Sequence, residues 1–199
     1  MSNAPFESDP GQTPIDESER RDLIPSVFSR TELNALEREN IIRARTWTKS
    51  AGILLKREIL SDDFTRELHR RMFSKVWRWA GMYRTSARNF GWESFRIAEG
   101  VRNCLDDARY WVANGTYSVP EAAIRMHHRL VVIHPWANGN GRHARLLADC
   151  LVARSNLQPL RWGGHPEGLL SIGNLRQSYL EALLRADEQD FQPLIEFCE

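Results

Sequence analysis

Cysteine is scarce in this 199-residue chain: Cys104, Cys150 and Cys198 are odd in number and show no paired or metal-type spacing. Neither a disulfide framework nor a cysteine-based zinc site is supported, and a reducing compartment fits best. An excess of either charge is missing too, since 27 Lys plus Arg face 26 Asp plus Glu for a formal charge of +1. A chain so balanced is not built to coat nucleic acid or an anionic membrane, so recognition of phosphate has to be local. Long hydrophobic runs are also lacking, the uninterrupted ones being as short as Leu130 to Ile133. A membrane-spanning helix takes roughly 20 apolar residues, and a secretory signal roughly 7 to 15 in its centre. Membrane insertion and secretion are therefore not expected, and the chain reads as cytoplasmic. What is present, 42% apolar and 27% charged residues, is an ordinary globular mixture of about one domain's length.

Residues 1–28 carry Pro5, Pro10, Pro14, Pro25 and Gly11 without a sustained apolar period, which predicts an extended N-terminal arm. Over 29–57 the spacing of Leu33, Leu36, Ile41 and Ala44 predicts a helical segment from Thr31 to about Thr48. Ser61 with Asp62 and Asp63 reads as a helix start, and Phe64, Leu68, Met72, Val76 and Trp79 as its apolar stripe. Gly81 to Ile97 mixes turn formers and aromatics, which predicts a small β-hairpin. Further helices are expected through Cys104 to Trp111, stopping near Asn114 and Gly115, and from the Ser118/Glu121 capping box through Leu130. Leu146 to Val152, Leu175 to Ala186 and Phe191 to Phe197 complete a mainly α reading with one hairpin, 58–199 forming the core.

The densest chemistry lies in His134-Pro135-Trp136-Ala137-Asn138-Gly139-Asn140-Gly141-Arg142-His143-Ala144-Arg145, between two apolar helical stretches. Pro135 disfavours helical geometry at His134, and Gly139 and Gly141 let the backbone turn tightly, so a curved loop can present several N–H groups. The helix that follows adds its N-terminal dipole, and Arg142 and Arg145 add charge-assisted bonds. Such a loop accepts the phosphate chain of a nucleotide, and an imidazole at its entrance can take a proton from a hydroxyl near neutral pH. Direct metal binding by His127, His128, His134 and His143 is disfavoured by their spacing, and His127 and His128 read instead as local hydrogen-bonding groups.

This segment resembles the signature of the Fic family, His-Pro-Phe-x-Asp/Glu-Gly-Asn-Gly-Arg-x-x-Arg, with Trp136 for Phe and Asn138 for the acid. Trp79-Ala80-Gly81-Met82-Tyr83-Arg84-Thr85 resembles the strand that enters the family's target-docking hairpin, and Met126-His127-His128-Arg129 the helix before the signature. Pieces near the N-terminus are similar to the mobile mystery protein B subgroup. The resemblance implies a Fic-type helical bundle with a β-hairpin flap that transfers AMP from ATP, with Mg2+, to a Ser, Thr or Tyr hydroxyl of a protein. It implies His134 as the base; Gly139, Asn140, Gly141, Arg142 and Arg145 as phosphate ligands; and Asn138 as the metal-facing residue, a neutral oxygen in place of a carboxylate. Phe90, Trp92 and Phe95 become a target-docking flap. Glu39-Asn40 is similar to part of the family's inhibitory motif, Ser/Thr-x-x-x-Glu-Gly/Asn, although Ala35 stands where the hydroxyl belongs, so an exposed charged face is the competing reading. Two other functions stay open: a catalytically weak nucleotide-binding module with an antitoxin or other regulatory partner, and a transferase using another phosphate-containing donor.

Overall fold

Serine caps start three of the helices. The computed structural model describes residues 20–27, 29–50, 52–87, 91–164 and 173–199, so the expected arm at 1–28 lies largely outside the described residues, as does Phe90. Ser29 Oγ accepts the Glu32 N–H at 3.2 Å and begins α1, Arg30–Lys49. After the short α2, Ile53–Lys56, Ser61 accepts the Phe64 N–H at 3.2 Å to begin α3, Asp62–Phe73. Helix α4, Ile97–Asn114, ends on left-handed Gly115 at φ 64°. Ser118 then caps α5, Val119–Ile133, by accepting the Glu121 N–H at 3.3 Å. Helices α6, Asn140–Arg154, α7, Gly173–Asp187, and α8, Gln192–Cys198, follow.

The stripe after Ser61 predicts helix as far as Trp79, yet α3 stops at Phe73. The N–H groups of Val76 and Trp77 both turn back to the Phe73 carbonyl, at 2.9 and 2.8 Å. Ile24 and Arg78 then pair across to Val76 and Asp22, each at 2.9 Å, so Leu23 and Trp77 form an antiparallel bridge. A non-local backbone pairing has taken the groups that a longer helix would have used.

The predicted β-hairpin at 81–97 includes residues 88–90, which lie outside the described residues. Among the described residues of this segment there is no strand, only irregular chain and a 3-10 turn at Ser94–Arg96. Its two flanks bond to the loop after α5 instead of to each other: Arg84 N–H donates to Pro135 O at 2.9 Å and Trp92 N–H to Ile133 O at 3.2 Å. The loop lies between the flanks, in the place a cross-strand ladder would fill.

Helix α6 packs on α5, α4 covers α5, α1 lies on α3, and α8 on α7. Phe64, Leu68, Met72 and Phe73 of α3 are fully buried against this frame. Burial of each such side chain is worth about 1.5–3 kcal/mol, enough to make α3 a firm floor under the loop between α5 and α6.

Candidate functional site

The loop at 134–139 is built around a strained residue. His134 caps α5 in the left-handed region, φ 55° and ψ 59°, with its N–H on Leu130 O at 3.1 Å. Pro135 excludes the helical alternative, and the left-handed cap turns the chain sharply off the helix. Two residues on, the Trp136 ring is fully buried and stacked on His69, centroids 4.1 Å apart. The Asn140 amide then closes the loop, accepting the Trp136 N–H at 2.8 Å and donating to Trp136 O at 2.9 Å. Both ends of that amide are committed to the loop, so an anion held at Asn140 would meet its backbone N–H.

Gly139 has φ 80°, and an added Cβ would lie 2.4 Å from Phe73 Cζ. Gly139→Ala is expected to cost about 2 to 5 kcal/mol, from left-handed strain plus overpacking, and to weaken nucleotide binding; chemical denaturation and calorimetric titration measure both. The first bond of α6 runs from His143 N–H to Gly139 O at 2.9 Å, so the N–H groups of Asn140, Gly141 and Arg142 precede it, as an anion site at a helix N-terminus requires.

A cavity of about 650 Å³ opens onto this loop, and His134, Asn138, Gly139, Asn140, Gly141, Arg142 and Arg145 all line it. Arg30 and Arg176 add cationic wall, and Val131, Leu180, Leu183 and Leu184 an apolar one. The structure thus brings the predicted loop residues onto one cavity. Arg145 is buried, its guanidinium 5.3 Å from the Tyr179 ring centre.

Asn138 lines the cavity with its side-chain oxygen already engaged. Its Oδ1 accepts the Gly139 N–H at 2.6 Å and lies 3.4 Å from Arg142 Nη2. A neutral oxygen already facing one N–H and a guanidinium does not fit a protein-held divalent cation, and among the described residues no group of three His, Cys, Asp or Glu could hold one.

Glu39 lies as the exposed-face reading has it. Its side chain is 59% exposed and pairs with Arg43 at 2.5 Å, away from the loop. The carboxylate that reaches Arg142 belongs to Glu37, 1% exposed, whose Oε2 bonds that arginine and whose Oε1 accepts Trp77 Nε1–H at 2.6 Å. The signal was available, because Glu37 shares a helical face with buried Leu33, Asn40, Ala44 and Thr48. Of the described flap candidates, Trp92 is half-buried with Arg96 5.0 Å above its ring, and Phe95 is 83% exposed.

His69 is a further member that sequence reading passed over. Its Nδ1 accepts the Gly81 N–H at 2.9 Å, which requires Nε2–H to donate to Asn138 O at 3.2 Å. Burial, then the nearby His143, holds the His69 pKa well below its usual value. Burial also lowers His127, which meets Tyr179 Oη at 2.9 Å, and brings His143 to about 4. His128 Nε2 meets Asp187 at 2.8 Å. Because the rings of His69, His127 and His143 are held neutral when folded, the unfolded chain binds more protons below about pH 6.5, and stability falls on acidification. The expected slope approaches about 1.4 kcal/mol per pH unit for each such histidine. Urea midpoints should be flat above that pH and fall steeply below it.

Residues 59–152 match the sequence profile of the Fic/DOC family. That span belongs to the Fic/DOC family. The matched span of this Fic domain takes in the α3 floor, the Arg84 segment and the whole loop. The protein adenylyltransferase fic-1 of Caenorhabditis elegans is 31% identical over 144 residues, 70% of this chain and 26% of the relative. The chain therefore spans about a quarter of that curated relative's length. The solved structure of C. elegans Fic-1 superposes with a TM-score of 0.59 at 26% identity, over 80% of this chain and 46% of the other. BepC of Bartonella tribocorum, solved with AMPPNP, shares the fold with a TM-score of 0.64 at 14% identity, over 92% and 96% of the two chains. No helix among the described residues is long and apolar enough to cross a membrane.

Proposed function

We propose that this Fic domain is a protein adenylyltransferase, moving AMP from ATP to a Ser, Thr or Tyr hydroxyl of a protein. The observation that carries the reading is a single strained, buried turn that puts His134 and the first-turn N–H groups of α6 on one cavity with Arg142 and Arg145. The C. elegans relative named a protein adenylyltransferase and the AMPPNP held by BepC support it.

His134 takes the proton of the target hydroxyl as its oxygen bonds to the α-phosphorus. The bond from that phosphorus to the α–β bridging oxygen breaks, and pyrophosphate leaves. Charge developing on the phosphates is met by donors fixed in advance, the N–H groups of Asn140, Gly141 and Arg142 and the two guanidiniums. ATP carries magnesium in solution on its own phosphate oxygens, and Asn138 adds to that only a neutral, engaged amide oxygen.

ATP labelled at the α- or the γ-phosphate, incubated with candidate target proteins with and without magnesium, tests the reading. Label should pass to protein from the α position only, and intact mass should rise by one AMP. Stoichiometric nucleotide binding with no label transferred would instead indicate a noncatalytic nucleotide-binding module; transfer from another nucleotide or of another phosphate-containing group would change the donor.

A further inference from the structure

Arg84 is buried but does not line the cavity. Its backbone N–H donates to Pro135 O at 2.9 Å, and its Nε donates to the carbonyl of His134 itself at 2.7 Å. Nη1 donates to Ser86 O at 2.8 Å and Nη2 to Trp92 O at 2.5 Å, so one guanidinium grips the chain at both flanks of the flap segment. Gly91 completes the arrangement: at φ 98°, a Cβ there would lie 2.6 Å from His134 Cβ and 2.9 Å from Arg84 Nη2. Glycine is what lets the flank close over both.

A residue with positive φ followed by proline is held only where its surroundings over-determine it. The α5 cap fixes the His134 N–H, and Arg84 fixes its carbonyl. We propose that Arg84 is a positioning residue for the transfer reaction: it sets the backbone of His134 and, through the same guanidinium, ties that setting to the flanks of the flap against which the target would dock. This rests on the adenylyltransferase reading. A planar fork reaches three carbonyls in fixed directions, which the point charge of lysine cannot reproduce.

The test compares Arg84→Ala and Arg84→Lys with wild type in three measurements: ATP affinity, transfer rate per nucleotide-binding site, and the imidazole NMR signal of His134, assigned by its loss in His134→Ala. The expected result is unchanged ATP affinity with transfer lowered about 100-fold, the effect of misplacing a reacting group by about an ångström. The His134 signal should move in both variants. In Arg84→Ala, methylguanidinium should restore rate and signal together, and methylammonium should restore neither. Wild-type rate and signal in either folded variant would overturn the proposal, as would a lost rate accompanied by equally lost ATP binding. Should Arg84→Ala not fold, Arg84→Lys carries the same two readouts. If wild type transfers nothing, the adenylyltransferase reading fails while the His134 signal still decides whether Arg84 sets that residue.

Discussion

His134→Ala is expected to lower AMP transfer by about 10²- to 10⁴-fold, the usual contribution of a positioned general base, while ATP affinity changes by no more than about a factor of two, as when an interaction made only in the transition state is lost. The split follows from where the parts sit. The proposed phosphate donors are backbone N–H groups held by the Asn140 clamp and by Gly139 against Phe73, none of which depends on the imidazole. His134 brings its ring to the cavity through its own left-handed cap. Single-turnover rates and calorimetric ATP titration on the same preparation give the two numbers. An Ala variant that transfers at the wild-type rate would remove His134 from the mechanism, and one that loses ATP binding in parallel would make it a binding residue. Asn at the same position is the better partner for a stability comparison, because Asn tolerates positive φ more readily than Ala does.

The helical frame was legible because its punctuation is local. Ser29, Ser61 and Ser118 begin helices by bonding an N–H three residues on, and Gly115 ends one with a positive φ. The loop was legible because Pro135 narrows the backbone choices at His134, and Gly139 permits the positive φ with which the chain enters α6. Non-local pairings were hidden: nothing near Trp77 in sequence announces that residues 22–24 will take the backbone groups after Phe73, and nothing near Trp92 announces that its N–H will go to Ile133. The same holds for side chains. Asn140 reads as part of an anion loop by position, but its amide is committed to the loop backbone, a distinction set by where Trp136 ends up. His69 carries no motif and is recognisable only once Gly81 and Asn138 arrive on either side of its ring. For the acid on α1, motif spacing pointed to Glu39, whereas the structure buries Glu37, which is in phase with Leu33, Asn40 and Ala44. Burial followed phase, because a helix has only one face to give to its neighbour.

That choice carries the other large effect. Glu37, itself buried, holds Arg142 in an ion pair, its other oxygen on Trp77 Nε1, and Arg142 is one of the guanidiniums that line the cavity. An arginine bound to a carboxylate has less to offer a triphosphate, so the pair restrains the site in the described state. Glu37→Gln keeps the volume and an oxygen for Trp77 but removes the charge, and it is expected to tighten ATP binding about tenfold, at the low end of what a bond to a charged group contributes, with transfer rising alongside. The same change should lower stability, since removing one partner of a buried pair commonly costs about 3–5 kcal/mol, less here to the extent that Gln retains its hydrogen bonds. Higher affinity with a lower melting temperature is a combination that damage to the fold would not produce. Glu39→Gln is the matched control: its exposed pair with Arg43 is worth only about 0.3–0.5 kcal/mol, and neither quantity should move. If folded Glu37→Gln binds ATP as wild type does, the α1 carboxylate serves packing alone. A Glu39→Gln variant that gains affinity would return the inhibitory role to the residue that motif spacing selected.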